Sequence, residues 1–212
     1  MTEVEIEVEP SEAGFDAKRL HRLGDHLDKY VDEGHLPGVN VLVSREGKIV
    51  YRHMYGQRDM ERALPVEADT IYRFYSMTKP ITSVAIMQLY ERGVFQLKDP
   101  ISNWIPSFAE SQVFVGGDAE NPQTREASRA ISIHDLLTHT SGLTYFFHMA
   151  HVVDEMYRRA GFDWTKSPGD LESQCDILAS LPLLFDPGTE WNYSYSTDVL
   201  GRLIEVMSGL SL

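Results

Sequence analysis

Cysteine is nearly absent: Cys175 is the single one in 212 residues, so no disulfide can form within the chain. It sits in an apolar helical stretch, Cys175-Asp-Ile-Leu-Ala, and is expected to be a small core residue rather than a reactive thiol. Positive charge is also scarce. Nineteen Lys and Arg stand against 32 Asp and Glu, a formal net charge of −13. Phosphate backbones are bound by cationic side chains that release counterions, so the mean field excludes nucleic acid as a partner and disfavours an anionic membrane surface. No apolar run approaches the ~20 residues that cross a bilayer. The start, Met1-Thr-Glu-Val-Glu-Ile-Glu-Val-Glu, is acidic and has no apolar centre, the reverse of a secretory signal. The expected compartment is the cytoplasm. There is no internal repeat and no low-complexity tract.

What is present is ordinary globular material: 42% hydrophobic, 10% aromatic and 24% charged residues. That length supports one good-sized domain, or at most two small ones, without a metal or disulfide staple. The first twelve residues alternate acidic and apolar side chains, as a frayed arm or edge strand would. Asp16 is placed to cap a helix carrying Leu20, Leu23, Leu27, Tyr30 and Val31 and closing at Gly34. Two strand-like runs from Val39 and Lys48 flank Glu46-Gly47, a hairpin signal. After Gly56 the chain changes character. A helix is predicted from about Ser76 to Arg92, and others near 133–139, 149–160 and 170–181. A last amphipathic one carries Val199, Leu200, Leu203, Ile204, Val206 and Met207. Residues 116–129 look like a long surface loop, and Val113-Phe-Val-Gly-Gly like its anchor rather than a strand. Two strands alone are marginal. Partner strands are therefore expected outside this chain, which stops immediately after a helix and reads as truncated. The expected organisation is one incomplete domain over 1–212, with a helix and hairpin in 1–56 and a mainly helical part in 57–212.

The sharpest chemical feature is Ser76-Met-Thr-Lys79 at the start of a helix. Residues three apart share a helical face. A serine hydroxyl is a poor nucleophile until a base takes its proton. A lysine can do that only when neutral, which requires burial or nearby positive charge. A helix N-terminus supplies positive potential and free N–H groups for an oxyanion. Alone, the spacing is weak, since a serine cap followed by an exposed lysine has the same pattern.

Three further segments follow in order: Met87-Gln-Leu-Tyr-Glu-Arg-Gly-Val-Phe-Gln-Leu-Lys-Asp-Pro, Ile131-Ser-Ile-His-Asp-Leu-Leu-Thr-His-Thr-Ser-Gly-Leu and Pro187-Gly-Thr-Glu-Trp-Asn-Tyr-Ser-Tyr. With Thr70-Ile-Tyr-Arg-Phe-Tyr-Ser-Met-Thr-Lys, they make the sequence resemble the serine beta-lactamase and penicillin-binding protein superfamily, especially its family VIII carboxylesterases. The resemblance implies an α+β, beta-lactamase/transpeptidase-like fold: an antiparallel sheet flanked by helices, plus an all-helical lobe, with the site between them. It also implies that Ser76 is acylated, that Lys79 is its partner base and that Tyr193 is the tyrosine of the second motif, whose phenol relays protons between serine, lysine and the leaving group. No cofactor and no metal are expected. A small-molecule ester is the expected partner, hydrolysed through an acyl-serine.

Two departures refine this. Tyr195 stands where beta-lactamases and peptidases of the superfamily usually carry an Asn that helps hold the substrate amide, which favours the esterase branch over a beta-lactamase or D-Ala-D-Ala carboxypeptidase. The third motif, Lys-Thr-Gly or its esterase variants, does not occur here. It normally supplies an oxyanion N–H, and losing one such donor costs roughly 10²–10³ in rate. A truncated or non-catalytic homologue that acts by binding is the remaining alternative. Lesser candidates are the His134/His139 and His148/His151 pairs, the second placed on one helical face. They lack a Cys or carboxylate at ligand spacing and are not expected to hold a metal. Phe146, Phe147, His148 and Met149 are expected to line or cap an acyl pocket, or simply to pack. No Gly-x-Ser-x-Gly elbow is present, so an α/β-hydrolase route is unsupported.

Overall fold

The computed structural model describes residues 5–165 and 168–212. The chain divides into two compact units, Met1–Arg73 and Phe74–Leu212. The boundary falls later than the change of character after Gly56, because strand pairing continues past that glycine.

In the first unit, helix α1 spans Ala17–Asp32, and the Asp16 carboxylate caps it by accepting from the Arg19 N–H at 3.1 Å. Strands β1 (Gly38–Arg45) and β2 (Lys48–Asp59) pair antiparallel, with Val39 opposite Tyr55 and Arg45 opposite Lys48. Glu46 and Gly47, at φ 53° and 77°, both take the left-handed conformation of a tight hairpin turn. A two-residue β3 (Leu64–Pro65) adds to the far edge of β2. Val39, Val50, Tyr51 and Val66 form the buried apolar set. The face of α1 is covered less than its periodicity suggests. Gly24 is its one fully buried residue, while Leu23 and Tyr30 stay exposed. Within the N-terminal arm, the Glu7 N–H donates to the Ile49 carbonyl at 2.9 Å without forming a regular strand.

The second unit holds α2 (Thr78–Glu91), β4 (Gln112–Gly117), β5 (Pro122–Glu126), α3 (Ile133–Leu137), α4 (Val152–Arg159), α5 (Leu171–Ser180) and α6 (Ser196–Ser208). Ile86, Phe108, Ile131, Leu136, Leu143, Tyr157, Leu178, Val199 and Leu203 are among its buried core. Helix α6 packs against α2, α3 and α5 and so organises the unit. Cys175 lies in this core. Burial pushes its thiol up to about 12, so it is inert at neutral pH.

Two expectations are corrected here. Residues 116–129 are not a loop, because β4 and β5 form a hairpin, and the unit is therefore not all-helical. Strand β5, Pro-Gln-Thr-Arg-Glu, is exposed and lacks apolar alternation, so its pattern carries no strand signal. Pairing is enforced from outside it. The Leu183 N–H donates to the Gln112 carbonyl and the Phe114 N–H to the Leu183 carbonyl, at 2.7 and 2.9 Å. The Asp118 carboxylate turns the chain by accepting from the Glu120 and Asn121 N–H groups. Gly117, at φ 90°, makes the turn possible, since a Cβ there would lie 2.3 Å from the Asn121 carbonyl oxygen. Among the described residues, no helix is long and apolar enough to cross a membrane.

Candidate active site

The second unit places Ser76 in a short 3₁₀ turn, Tyr75–Met77, that runs directly into α2. Tyr75, immediately before it, has φ 46°, a left-handed conformation that is costly for a bulky residue. The cap position of α2 is Met77, with no side-chain cap bond. Ser76 therefore does not serve as a helix cap. Its hydroxyl turns to other side chains: the Lys79 Nζ donates to the Ser76 Oγ at 3.4 Å, and the Tyr193 hydroxyl donates to it at 2.6 Å. The Lys79 Nζ also lies 4.6 Å from the centre of the Tyr193 ring. The three residues named from the sequence thus meet, although Tyr193 is 117 positions from Ser76.

The chain around Tyr193 is irregular, and a lattice of hydrogen bonds to residues 139–148 holds it. The Asn192 N–H donates to the His139 carbonyl at 2.9 Å, and the Asn192 side-chain amide donates to the Leu143 carbonyl at 3.0 Å. The His148 Nε2 bonds the Tyr193 carbonyl at 2.7 Å, and the Tyr195 N–H donates to the Thr144 carbonyl at 3.3 Å. Buried hydroxyls of Ser141, Ser194 and Ser196 link in series at 2.8 Å each. Thr144 is fixed in turn by the Asp154 carboxylate, which accepts its hydroxyl at 2.7 Å and the N–H groups of Ala150 and His151 at 2.9 Å. His148 and His151 accordingly do not share a helical face. His148 precedes α4, and His151 caps it by accepting from the Val153 N–H.

A cavity of about 560 Å³ opens beside the trio. Tyr75, Ser76, Lys79, Tyr145, Phe146, Phe147, Trp164, Leu171, Tyr193, Tyr195 and Asp198, all residues of the second unit, line it. Trp164 stacks on Phe147 with ring centres 4.7 Å apart and meets Phe146 edge-on at 5.2 Å. Met149, grouped with these from the sequence, is exposed instead. Tyr195, at the position of the superfamily's amide, is buried against Tyr145, Tyr157 and Phe162.

Electrostatically the site is perturbed. Burial would raise the Tyr193 phenol, but its hydrogen bonds with Lys79 and Ser76 and the Lys79 charge outweigh this and hold it below the usual tyrosine value. Burial, aided by the Lys79 charge, lowers His139 and keeps it neutral at pH 7; its Nδ1 bonds the Ser194 hydroxyl at 3.3 Å. Burial also pushes the Asp198 carboxyl up to about 6, against the opposing pull of Lys79 and of a hydrogen bond with Tyr145. Among the described residues, no group of three or more His, Cys, Asp or Glu is arranged to hold a metal. His134 and His139 do not converge on one; the first lies on α3, the second on the loop beside Tyr193. Tyr145 and Asp198 were not singled out from the sequence. An aromatic run around Tyr145 reads as core, and an acidic residue in the first turn of α6 reads as a dipole partner. An alcohol, a phenol and an ammonium in mutual contact at an aromatic cavity can together move one proton and expose an alkoxide.

Comparison with known proteins shows the family. The family described as Beta-lactamase matches residues 23–212. Esterase EstB of Burkholderia gladioli is 35% identical over 97% of the chain and 50% of its own length. ML-236A carboxylate methylbutanoyltransferase mlcH of Penicillium citrinum is 33% identical over 98% of the chain and 50% of its own length. Among solved structures, EstCE1, described as a hydrolase with promiscuous acyltransferase activity, superposes with a TM-score of 0.75 at 31% identity, covering 92% of this chain and 48% of that one. The chain spans about half the length of these relatives.

Proposed function

Because the chain belongs to the Beta-lactamase family and has esterase and acyltransferase relatives, we propose that it carries the serine, lysine and tyrosine of a serine esterase. The observation that carries this reading is the contact of Ser76 with Tyr193 at 2.6 Å and with Lys79 at 3.4 Å. In the proposed reaction the Tyr193 phenolate, held by the Lys79 ammonium, accepts the Ser76 proton as the Oγ bonds to an ester carbonyl carbon. The tetrahedral intermediate collapses with cleavage of the carbon–oxygen bond, and Tyr193 returns the proton to the departing alcohol. Water then repeats the sequence on the acyl-serine, releasing a carboxylic acid and restoring Ser76. These steps use side chains and water alone.

The aromatic wall of Phe146, Phe147 and Trp164 suits an apolar ester of modest size. The ring of Tyr195 offers no carboxamide to a substrate amide, which favours esters over beta-lactams and peptides. Acyl transfer is the second reading, since one relative is a methylbutanoyltransferase and EstCE1 combines hydrolase with acyltransferase activity. An alcohol replacing water in the last step would give it.

The test is hydrolysis of p-nitrophenyl butyrate by the chain and by Ser76→Ala, beside labelling with a fluorophosphonate, which attaches covalently to an activated serine. Loss of both signals in the variant is the expected result. Equal rates from the two proteins, or no labelling of either, would end the esterase reading and favour a binding role. Added alcohol should divert the butyryl group to a new ester if transfer operates. A fluorescent penicillin that acylates Ser76 faster than the butyrate ester does would instead favour the beta-lactam branch.

A further inference from the structure

Two carboxylates of the cavity lining, Asp163 and Asp198, have no part in the chemistry above. Asp198 lies in the first turn of α6 and lines the same cavity as Ser76. An acidic residue at that place ordinarily faces solvent and complements the helix dipole. This one instead faces α2, the helix that carries Lys79, because α6 packs directly against α2. Between carboxylate and nucleophile stands Tyr145. It lines the cavity together with Asp198, and its ring centre is 5.2 Å from that of Tyr193 and 5.4 Å from the Lys79 Nζ. Tyr145 is only 7% exposed, so the wedge has little freedom to turn. The titratable groups around Asp198 are Lys79 from α2, Tyr75 from the turn before it, Tyr145 from the loop after α3, Asp163 ahead of α5, Tyr193 and Tyr195 from the segment before α6, and Cys175 from α5. Lys79 supplies the one positive charge among them.

We infer that Asp198 is a positioning residue for acylation of Ser76: with Tyr145 it holds the Lys79 ammonium against the Tyr193 and Ser76 hydroxyls and offsets part of the pull of that ammonium on the Tyr193 proton. The inference rests on Ser76 being the nucleophile. It differs from a packing role in its consequence. A negative charge here makes the Tyr193 phenolate a stronger base that forms at higher pH. Removing the charge gives a weaker base that forms at lower pH, so the rate falls while its pH limb moves toward acid.

The experiment measures the rate of Ser76 labelling by a fluorophosphonate from pH 5 to 10, with kcat and KM for p-nitrophenyl butyrate, in wild type, Asp198→Asn, Asp198→Glu and Tyr145→Phe. Asp198→Asn is expected to lower kcat about 10-fold or more, leave KM within about twofold and shift the limb about one pH unit toward acid. Asp198→Glu, which keeps the charge, restores the limb. Tyr145→Phe, which keeps the ring, lowers the rate with a smaller shift. Thermal melting of each variant separates loss of fold from loss of function, and the glutamate and phenylalanine variants decide the matter should the asparagine variant melt early. Ser76-dependent labelling with the same limb in wild type and Asp198→Asn overturns the inference alone. No Ser76 labelling in wild type overturns the serine-hydrolase reading and this inference together.

Discussion

A serine beside a lysine gains nothing while the ammonium keeps its protons; the phenol of Tyr193 changes that. Lys79 and Ser76 hold Tyr193 below the ordinary tyrosine value despite its burial, which makes the phenolate available as the base. The sign follows directly. Labelling of Ser76 should rise with pH through the lowered Tyr193 value, on the acid side of ~10. Lys79→Met removes both the bond and the charge that lower it, so the limb should move upward in pH and labelling at pH 8 should fall at least about 10-fold. A limb that stays in place would assign the base elsewhere. Tyr193→Phe keeps the ring contacts with His139 and Tyr145 at 5.0 and 5.2 Å and deletes only the hydroxyl. The expected loss is about 10²–10⁴ in labelling rate with an unchanged melting temperature. A lower melting temperature with retained labelling would make Tyr193 a packing residue. Of these residues, only Ser76 and Lys79 are legible from spacing, because a helical turn is a local rule. Tyr193 was reachable through resemblance, since nothing local relates positions 117 apart. Tyr145 and Asp198 gave no signal, because their pairing exists only once α6 lies on α2.

At the scale of elements, the site depends on short pieces tied by buried polar groups rather than on long regular ones. Helix α3 has only five residues and is started by a capping box in which Ser132 and Asp135 bond each other's backbone N–H. Arg129 grips the same carboxylate with two bonds, at 2.7 and 2.9 Å. Burial would raise the Asp135 pKa, yet the bonds from Arg129 and Ser132 pull it below its ordinary value. A carboxylate lowered on folding stabilises the folded state above its unfolded pKa, and that contribution is lost as pH falls through the lower folded value. Arg129→Met leaves the buried Asp135 unpaired by charge, which, with the exposed arginine screened by solvent and the Ser132 bonds kept, should cost about 1–2 kcal/mol at pH 7. The deficit should shrink below pH 4 as Asp135 protonates, as read by denaturant unfolding at the two pH values. A deficit independent of pH would point to lost packing of the arginine stem instead. Gly142, in the loop after α3, sits at φ 87° with a virtual Cβ 2.5 Å from the Phe185 carbonyl oxygen. Gly142→Ala should therefore destabilise by about 2 kcal/mol or more and weaken the anchoring of Tyr193. Helix limits and the Glu46-Gly47 hairpin were readable because caps and turns are written locally. The β4–β5 hairpin was not, because its second strand is exposed and polar and is set by the partner strand and the Asp118 turn.

For the whole molecule the governing quantity is charge. A formal −13 over 212 residues contrasts with a cavity lined by one cation, Lys79, beside the carboxyl groups of Asp163 and Asp198. The far field repels an anionic ester during approach, whereas Lys79 attracts it only at contact. At about 10 mM salt the Debye length is ~30 Å and the whole charge distribution is felt; at about 100 mM it is ~10 Å and most of the distant repulsion is gone. For an ester carrying a free carboxylate, kcat/KM should therefore rise several-fold between the two ionic strengths. For a neutral ester of the same acyl length it should stay within about twofold. The neutral substrate controls for salt effects on the fold and on the ionisation of Tyr193, which act on both esters alike. Should the anionic ester react faster at low salt, the near field of Lys79 would outweigh the net charge, and a carboxylate-bearing substrate would become the better match to this cavity.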